Sequence, residues 1–376
     1  MKIDKISLIN YRNIEKQEVE FSSGLNVIYG DNAQGKTNLI EAIYTFARGK
    51  SFRGAGEREI VRFGSLSYMS EIHFTDRVRR QTMTLGYENK KKIKKINGVI
   101  CEKLSDMIGR FRAVLFCPSH LDIVKGGPGE RREFLNVALS QLYPEYIILY
   151  QRYKHILEQR NALLRKAQIL EGEKKKKCYE EITVFSEILS EMAAEICIYR
   201  EKYISDLSPF AEFFLSEMSA EKEKLTLSYE CDIEKNLIYD KKLCQKEYYK
   251  LLTENIEREI SKGATLYGIH RDDIKISFNG IDARSFASQG QQRSISLSLK
   301  MAEGEMSKKI LGEYPVFLLD DVLSELDIKR RRYLMSKIKN CQIIISGCET
   351  DAQSYTGEAR FIYTEGGKYT ANDIKV

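Results

Sequence analysis

Eight residues, Gly30-Asp31-Asn32-Ala33-Gln34-Gly35-Lys36-Thr37, constrain what this chain can fold into more than any others. They fit G-x-x-x-x-G-K-[ST], a phosphate-binding pattern when a buried strand enters it and a helix leaves it. Both flanks are present. The apolar run Leu25-Asn26-Val27-Ile28-Tyr29 precedes the loop, and an amphipathic helix pattern follows from Asn38. Glycine lets backbone N–H groups close around phosphate oxygens, and the helix start adds partial positive charge. Gly30, Asp31, Asn32, Ala33, Gln34, Gly35, Lys36, Thr37 and Asn38 are therefore the candidate phosphate cradle. Lys36 is expected to bridge the β- and γ-phosphates and the Thr37 hydroxyl to ligate Mg²⁺, so ATP and Mg²⁺ are the expected cofactors.

Two further patterns complete a nucleotide-hydrolysing set. Pro315-Val316-Phe317-Leu318-Leu319-Asp320-Asp321 reads as a buried strand ending in acids, a Walker-B pattern. Asp320 would hold Mg²⁺ through water, and Asp321 would polarise the attacking water, which makes Asp321 and Lys36 the catalytic candidates. Taken alone, the two acids could equally cap a strand end. Ser288-Gln289-Gly290-Gln291-Gln292-Arg293 enters the helical run SISLSLKMAEGEM. It is either an ordinary N-capped helix or a second phosphate-facing helix start. In the second reading Ser288, Gly290 and Gln291 cap the γ-phosphate held by another subunit.

The rest of the chain supplies the organisation. Residues 3–10 and 19–21 read as strands, and short β-like runs recur at 68–74, 81–86 and 113–116. The texture changes at Pro118. A helical apolar period is sustained over 130–168, and a second one runs through 185–207. The polar segment 171–177 joins them, so an antiparallel helical pair is expected over 120–220. A strand at 225–229 and a helix at 241–261 follow, before strand and loop chemistry returns. With 43% hydrophobic and 30% charged residues, the composition is that of a soluble globular chain. No stretch has the roughly 20 apolar residues of a membrane span, and the first residues lack a signal peptide's apolar core. Eight cysteines without C-x-x-C suggest reduced thiols. A cytoplasmic location is expected.

The three motifs, in this order, resemble the ATP-binding-cassette superfamily, and Ser324-Glu325-Leu326-Asp327 resembles its D-loop. Within it the chain resembles the RecF family of bacterial DNA replication and repair ATPases. The resemblance rests on Asn10-Tyr11-Arg12-Asn13, on the run from Val124 to Leu135 (VKGGPGERREFL), on Gly268-Ile269-His270-Arg271-Asp272-Asp273, and on the signature and Walker-B segments. It implies an α/β fold, an ABC-type (SMC/Rad50-like) P-loop ATPase head formed by both chain ends, with an inserted, mostly helical second domain. The expected division is 1–118 and 261–376 for the head and 119–260 for the insert. The resemblance also implies an ATP-dependent head-to-tail homodimer, slow DNA-stimulated hydrolysis, and a role at single-strand gaps with RecR and RecO proteins. An SMC/Rad50-type structural ATPase with a short arm is the alternative, disfavoured by the short insert. Three positions depart from the family pattern. Ile269 stands where proline is usual, Ser119-His120 where an acidic pair is usual, and Ser346-Gly347-Cys348 where a γ-phosphate switch residue is expected. Arg12 could reach the ATP phosphates or stand as an exposed turn arginine.

The net charge of +6 permits an anionic partner without demanding one. Clustering is more informative. Arg77, Arg79, Arg80, Lys90, Lys91, Lys92, Lys94 and Lys95 form a basic stretch that Asn97-Gly98 marks as a hairpin with an exposed basic strand. It is either a solvated hairpin or a DNA-backbone surface. Without a base-reading motif, any DNA contact, to duplex or to a single-strand/duplex junction, is expected to be independent of sequence.

Overall fold

In the computed structural model, which describes residues 1–322, 326–338, 340–347 and 359–372, apolar runs without alternation pack side by side as a mostly parallel sheet. Its order is Lys368–Asn372, Ala359–Glu365, Leu25–Tyr29, Ile343–Gly347, Val316–Asp320, Ala113–Phe116. All but the first of these strands run parallel to their neighbours. Every residue of Ala113–Phe116, Val316–Asp320 and Ile343–Gly347 is buried, as parallel strands covered on both faces must be. Leu25–Tyr29 lies between two strands from the far end of the chain, so both chain ends build one head.

A second, antiparallel sheet has the order Ile14–Glu20, Lys2–Tyr11, Tyr68–Thr75, Arg80–Glu88, Lys91–Ile96, Val99–Ile100. Helix Lys36–Arg48 touches strands of both sheets and buries nine consecutive residues, Leu39 to Ala47. The expected amphipathic helix is therefore buried nearly all round, because sheets cover it on two sides. Gln342 ties the layers together. Its side-chain amide donates to Ile3 O (2.8 Å) and Ser22 O (2.7 Å) and accepts from Ile3 N (2.6 Å).

By contact, the chain forms two units. One comprises Met1–Leu121, Phe213–Lys222 and Ser288–Val376; the other comprises Asp122–Glu212 and Glu223–Ala287. The second unit is mostly helical, with a three-stranded sheet of Leu225–Glu230, Asp273–Phe278 and Ile281–Asp282. The helical period over 130–168 is not one helix. It breaks at Tyr143, which is extended, and Pro144 opens the next helix, Pro144–Ala167. Proline has no N–H to give the preceding turn and disfavours helical backbone at the residue before it. The lysine run 174–177 is not a linker but lies in the first turns of Gly172–Met218. The expected helix at 241–261 breaks at Asn255 into Lys241–Glu254 and Ile256–Lys262.

Two buried arginines are the hubs of this unit. Arg160 reaches Ser186, Thr265, Leu252 O and Glu259. Arg200 reaches Tyr146, Asn136, Ile269 O and Asp272. Tyr146, Tyr153 and Tyr203 are buried packing residues. Among the described residues no helix is long and apolar enough to cross a membrane.

Candidate functional site

The glycines of the loop at 30–37 are there for close approach. Gly30 has φ +145°, and a Cβ there would lie 2.3 Å from Thr364 O. Gly35 has φ +121° and faces the Tyr369 hydroxyl and the Asn13 amide. Lys36 folds back across the loop, its Nζ 2.6 Å from Gly30 O and 3.0 Å from Asp31 O. Its ammonium group thus sits at the loop's mouth, where an incoming phosphate would replace the two carbonyls.

Strand register assembles the acid end of the site. Asp320 is paired in register with Ser346, and Ser346 in turn with Ile28, two residues before the loop. The Thr37 hydroxyl, at the start of the loop's helix, donates to Asp320 Oδ1 at 3.0 Å. Ser346 Oγ donates to the same oxygen at 2.8 Å and accepts from Asp321 N at 3.0 Å. Asp321 has φ +54°, a left-handed backbone uncommon for a residue with a Cβ. Ser346 therefore pins both acids. Burial raises the Asp320 pKa above the usual carboxylate value, against the lowering effect of the two hydroxyls. Among the described residues no Lys or Arg makes an ion pair with it. A buried carboxylate met only by hydroxyls is a hard-oxygen donor set, and it fits Mg²⁺.

A brace holds the loop that the motif pattern did not reveal. Gln34 O accepts from Gly367 N (3.0 Å) and Thr364 Oγ1 (3.3 Å), and Gln34 Oε1 accepts from Gly366 N (2.6 Å). The Tyr369 hydroxyl donates to Gly35 O at 2.9 Å. These partners come from the terminal hairpin Ala359–Glu365 and Lys368–Asn372. The available signal was Gly366-Gly367 between two β-like runs, FIYTE and KYTAN. Asn13 adds a contact to Gln34 O (3.2 Å) and accepts from Asn38 Nδ2 (2.9 Å).

Arg12 does not stand free. It donates through Nε and Nη2 to both oxygens of the buried Glu41 (2.9 and 2.7 Å) and through Nη1 to Glu59 O (2.9 Å). Arg12, Asn13, Asn38, Arg53, Arg58 and Phe63 border an open cavity of about 520 Å³ beside the loop.

Ser288 caps helix Gln289–Leu311 in a reciprocal box. Its Oγ accepts from Gln291 N at 3.4 Å, and Gln291 Oε1 accepts from Ser288 N at 2.9 Å. Ser288 is exposed at this helix start and Gly290 is half-buried. Of the D-loop-like segment, Ser324 and Glu325 lie outside the described residues, as does Cys348. Asp327 caps helix Ile328–Ile338 by accepting from Arg330 N at 2.9 Å.

Ser119 and His120 sit in the short turn Pro118–Leu121. His120 Nδ1 accepts from Cys117 N at 3.3 Å, and His120 O accepts from Ser296 Oγ at 2.9 Å. Desolvation, then Lys300 and Arg48, pushes the imidazole pKa well below its ordinary value, so this position offers a neutral ring where the family usually has acids.

At Ile269 the turn closes without proline, with Arg271 N donating to Gly268 O at 2.8 Å and Ile269 fully buried. The two second-unit motifs meet each other. Arg131 grips Asp273 with two bonds (2.6 and 2.8 Å), and Arg132 Nη1 donates to Asp272 O at 2.8 Å.

The basic stretch is not one patch. Arg77, Arg79 and Arg80 are exposed at one end of strand Arg80–Glu88, and Lys90 and Lys91 are exposed at the other. At about 3.4 Å per residue the two ends lie roughly 27 Å apart. The strand expected to be exposed is half-buried from Lys92 on. Lys92 pairs with Glu57 at 2.6 Å, and Lys94 bonds Glu102 O.

The family model for the RecF/RecN/SMC N terminal domain matches residues 2–365. The DNA replication and repair protein RecF of Clostridium novyi (strain NT) is 38% identical over 349 residues, 92% of this chain and 93% of that protein. The RecF of Acetivibrio thermocellus is 35% identical over 373 residues, 98% of this chain and 99% of that protein. Among solved structures, the recombination mediator protein RecF with ATP, of the RecFOR pathway, superposes with a TM-score of 0.90 at 33% identity, covering 99% of this chain and 97% of that one. An Smc head domain from Pyrococcus furiosus shares the fold, with a TM-score of 0.56 at 13% identity over 99% of this chain and 96% of that one.

Proposed function

The chain belongs to the RecF family, within the wider RecF/RecN/SMC group, and from that premise we propose that it is an ATP-dependent DNA-binding protein of recombinational repair and replication restart. It is a RecF-type DNA repair ATPase at the coarser level. The observation that carries the finer reading is the convergence of Thr37, Asp320 and Ser346 at the carboxyl ends of adjacent parallel strands, beside a loop whose lysine lies across its mouth. ATP binds in this reading at residues 30–38, with Lys36 moving from Gly30 O and Asp31 O onto the phosphates. Thr37 and Asp320 hold Mg²⁺, which supplies charge neutralisation to the phosphate oxygens when bound. Asp321, fixed by Ser346, orients and polarises the attacking water.

Ser288, Gly290 and Gln291 of a second copy complete the site, so that ATP closes a head-to-tail homodimer on duplex DNA near single-strand gaps. Slow, DNA-stimulated hydrolysis resets it, and RecR and RecO proteins are its partners. The exposed Arg77, Arg79, Arg80, Lys90 and Lys91 contact the DNA backbone without reading sequence, whereas Lys92, Lys94 and Lys95 are half-buried in their strand and the first two are engaged within the protein. In this reading the head is the unit of 1–121, 213–222 and 288–376 and the insert the unit of 122–212 and 223–287, so that 261–287, expected in the head, goes with the insert.

Sedimentation with and without ATP·Mg²⁺, with gapped duplex added in parallel, tests this. The expected result is an ATP-dependent shift to dimer with tighter DNA binding. Asp321→Asn is expected to dimerise with ATP and to hydrolyse on the order of a hundredfold more slowly or not at all. A monomer insensitive to nucleotide and DNA would overturn the clamp reading, and normal hydrolysis by Asp321→Asn would remove that residue from the mechanism.

A further inference from the structure

Glu41 is a carboxylate with no exposed surface on the helix that leaves the phosphate-binding loop. It sits five residues after Lys36, about 7–8 Å along the helix axis. Three side chains converge on it. Arg12 donates to both of its oxygens at 2.9 and 2.7 Å. Ser51 Oγ donates to Oε1. Arg53 Nη1 approaches Oε2 at 4.0 Å and donates to Asn38 Oδ1 at 3.1 Å. Glu41 thus gathers two arginines from two separate loops onto one wall of the cavity of about 520 Å³ that Asn13 and Asn38 also border.

We infer that Glu41 is a positioning residue of the nucleotide site: it fixes Arg12 on the cavity wall beside Arg53, and with Arg58 and Glu59 on the same lining three guanidinium groups face two carboxylates, which leaves one positive charge in excess to attract a polyphosphate. The inference rests on the nucleotide-binding reading above. Three features support positioning over simple filling of the core. Arg12 is held in a left-handed backbone, φ +55°, as is Asn10 at +51°. Such strain persists only where surrounding bonds over-determine it. Here those bonds are Arg12 N to Ile60 O (2.7 Å), Arg62 N to Asn10 O (2.8 Å) and the Glu41 fork. The fork is bidentate, which fixes the guanidinium plane as well as its position. The arginines face open space, with Arg53 46% and Arg12 18% exposed at the side chain, whereas a group serving packing alone would have no free face.

The test is a double-mutant cycle on the full chain, read as the Kd of a fluorescent ATP analogue with Mg²⁺, with hydrolysis measured in parallel. Glu41→Gln keeps the shape and removes the charge. Arg12 then samples several rotamers and presents its charge only part of the time. Affinity is expected to fall on the order of tenfold. In an Arg12→Ala/Arg53→Ala background the same change is expected to move Kd less than about twofold, because nothing remains to position. An equal effect of Glu41→Gln in both backgrounds would overturn the inference. Should Glu41→Gln melt without nucleotide at a temperature that precludes binding work, Arg12→Lys keeps the charge and loses the fork. An unchanged Kd there would overturn the inference as well. Wild-type protein that fails to bind the analogue would instead sink the nucleotide-binding reading itself.

Discussion

A histidine that must stay neutral makes the second unit sensitive to acid. His270 accepts from or donates to Tyr153 Oη at 2.8 Å through Nδ1, while Nε2 is 3.1 Å from Thr265 O. A carbonyl can only accept, so Nε2 carries the proton and Nδ1 accepts from the tyrosine. Burial, outweighing the Thr265 bond, pushes the pKa down to about 4. The unfolded chain takes up this proton near its ordinary value of about 6.5, before the folded one does. The stabilisation is therefore complete above that pH and is lost as the pH falls toward 4, in total on the order of 3 kcal/mol. Relative to His270→Gln, wild-type protein is expected to lose stability across this window in urea titrations at a series of pH values. Parallel pH profiles of the two proteins would show that the ring is not held neutral. The motif around His270 was legible in the sequence, but its office was not. Tyr153 and Thr265 are read as a helix tyrosine and a loop threonine until the fold brings them to the ring. Ser346 is the same kind of case. As a sequence feature it is a candidate γ-phosphate switch, and as a placed residue it ties Asp320 to the backbone of Asp321.

At the scale of elements, close approach decides more than propensity does. Helix Gln289–Leu311 carries Gly304 against the Walker-B strand, where a Cβ would lie 2.4 Å from Phe317 Cζ. Phe317 is itself buried and cannot swing clear. Gly304→Val is therefore expected to destabilise the head by about 3 kcal/mol through overpacking. An unchanged denaturant midpoint would show that strand and helix separate at little cost. The glycine reads in sequence as an ordinary weak point in a helix; only the contact explains it. The P-loop helix was legible as a helix, and its burial on both sides was not, because periodicity registers one covered face and not a second sheet. The break at Tyr143-Pro144 was legible in the proline itself. The apolar period simply continues across it, since both helices bury apolar residues at helical spacing. The basic stretch shows the opposite error: residues adjacent in sequence are separated by the length of a strand.

For the whole molecule, the head alone holds one P-loop and one signature helix start, and Ser288 stands exposed at the latter. Losing its cap costs the helix about 1 kcal/mol, too little to unfold the head. Ser288→Arg is thus expected to bind ATP like the wild type and to remain monomeric in sedimentation with ATP·Mg²⁺. Normal ATP-dependent dimerisation of that variant would take the signature helix out of the interface. Much of this architecture is written locally. The phosphate loop, the acid-ended strand, the N-capped signature helix and the helical insert each follow from neighbouring residues, because backbone conformation, capping and burial period are short-range properties. What joins Asp320 to Thr37 and Ser346, Arg12 and Arg53 to Glu41, and the terminal hairpin to Gln34 is strand order and register. Those depend on which segments of a long chain bury each other, a free-energy balance summed over the whole core that no single window of sequence contains.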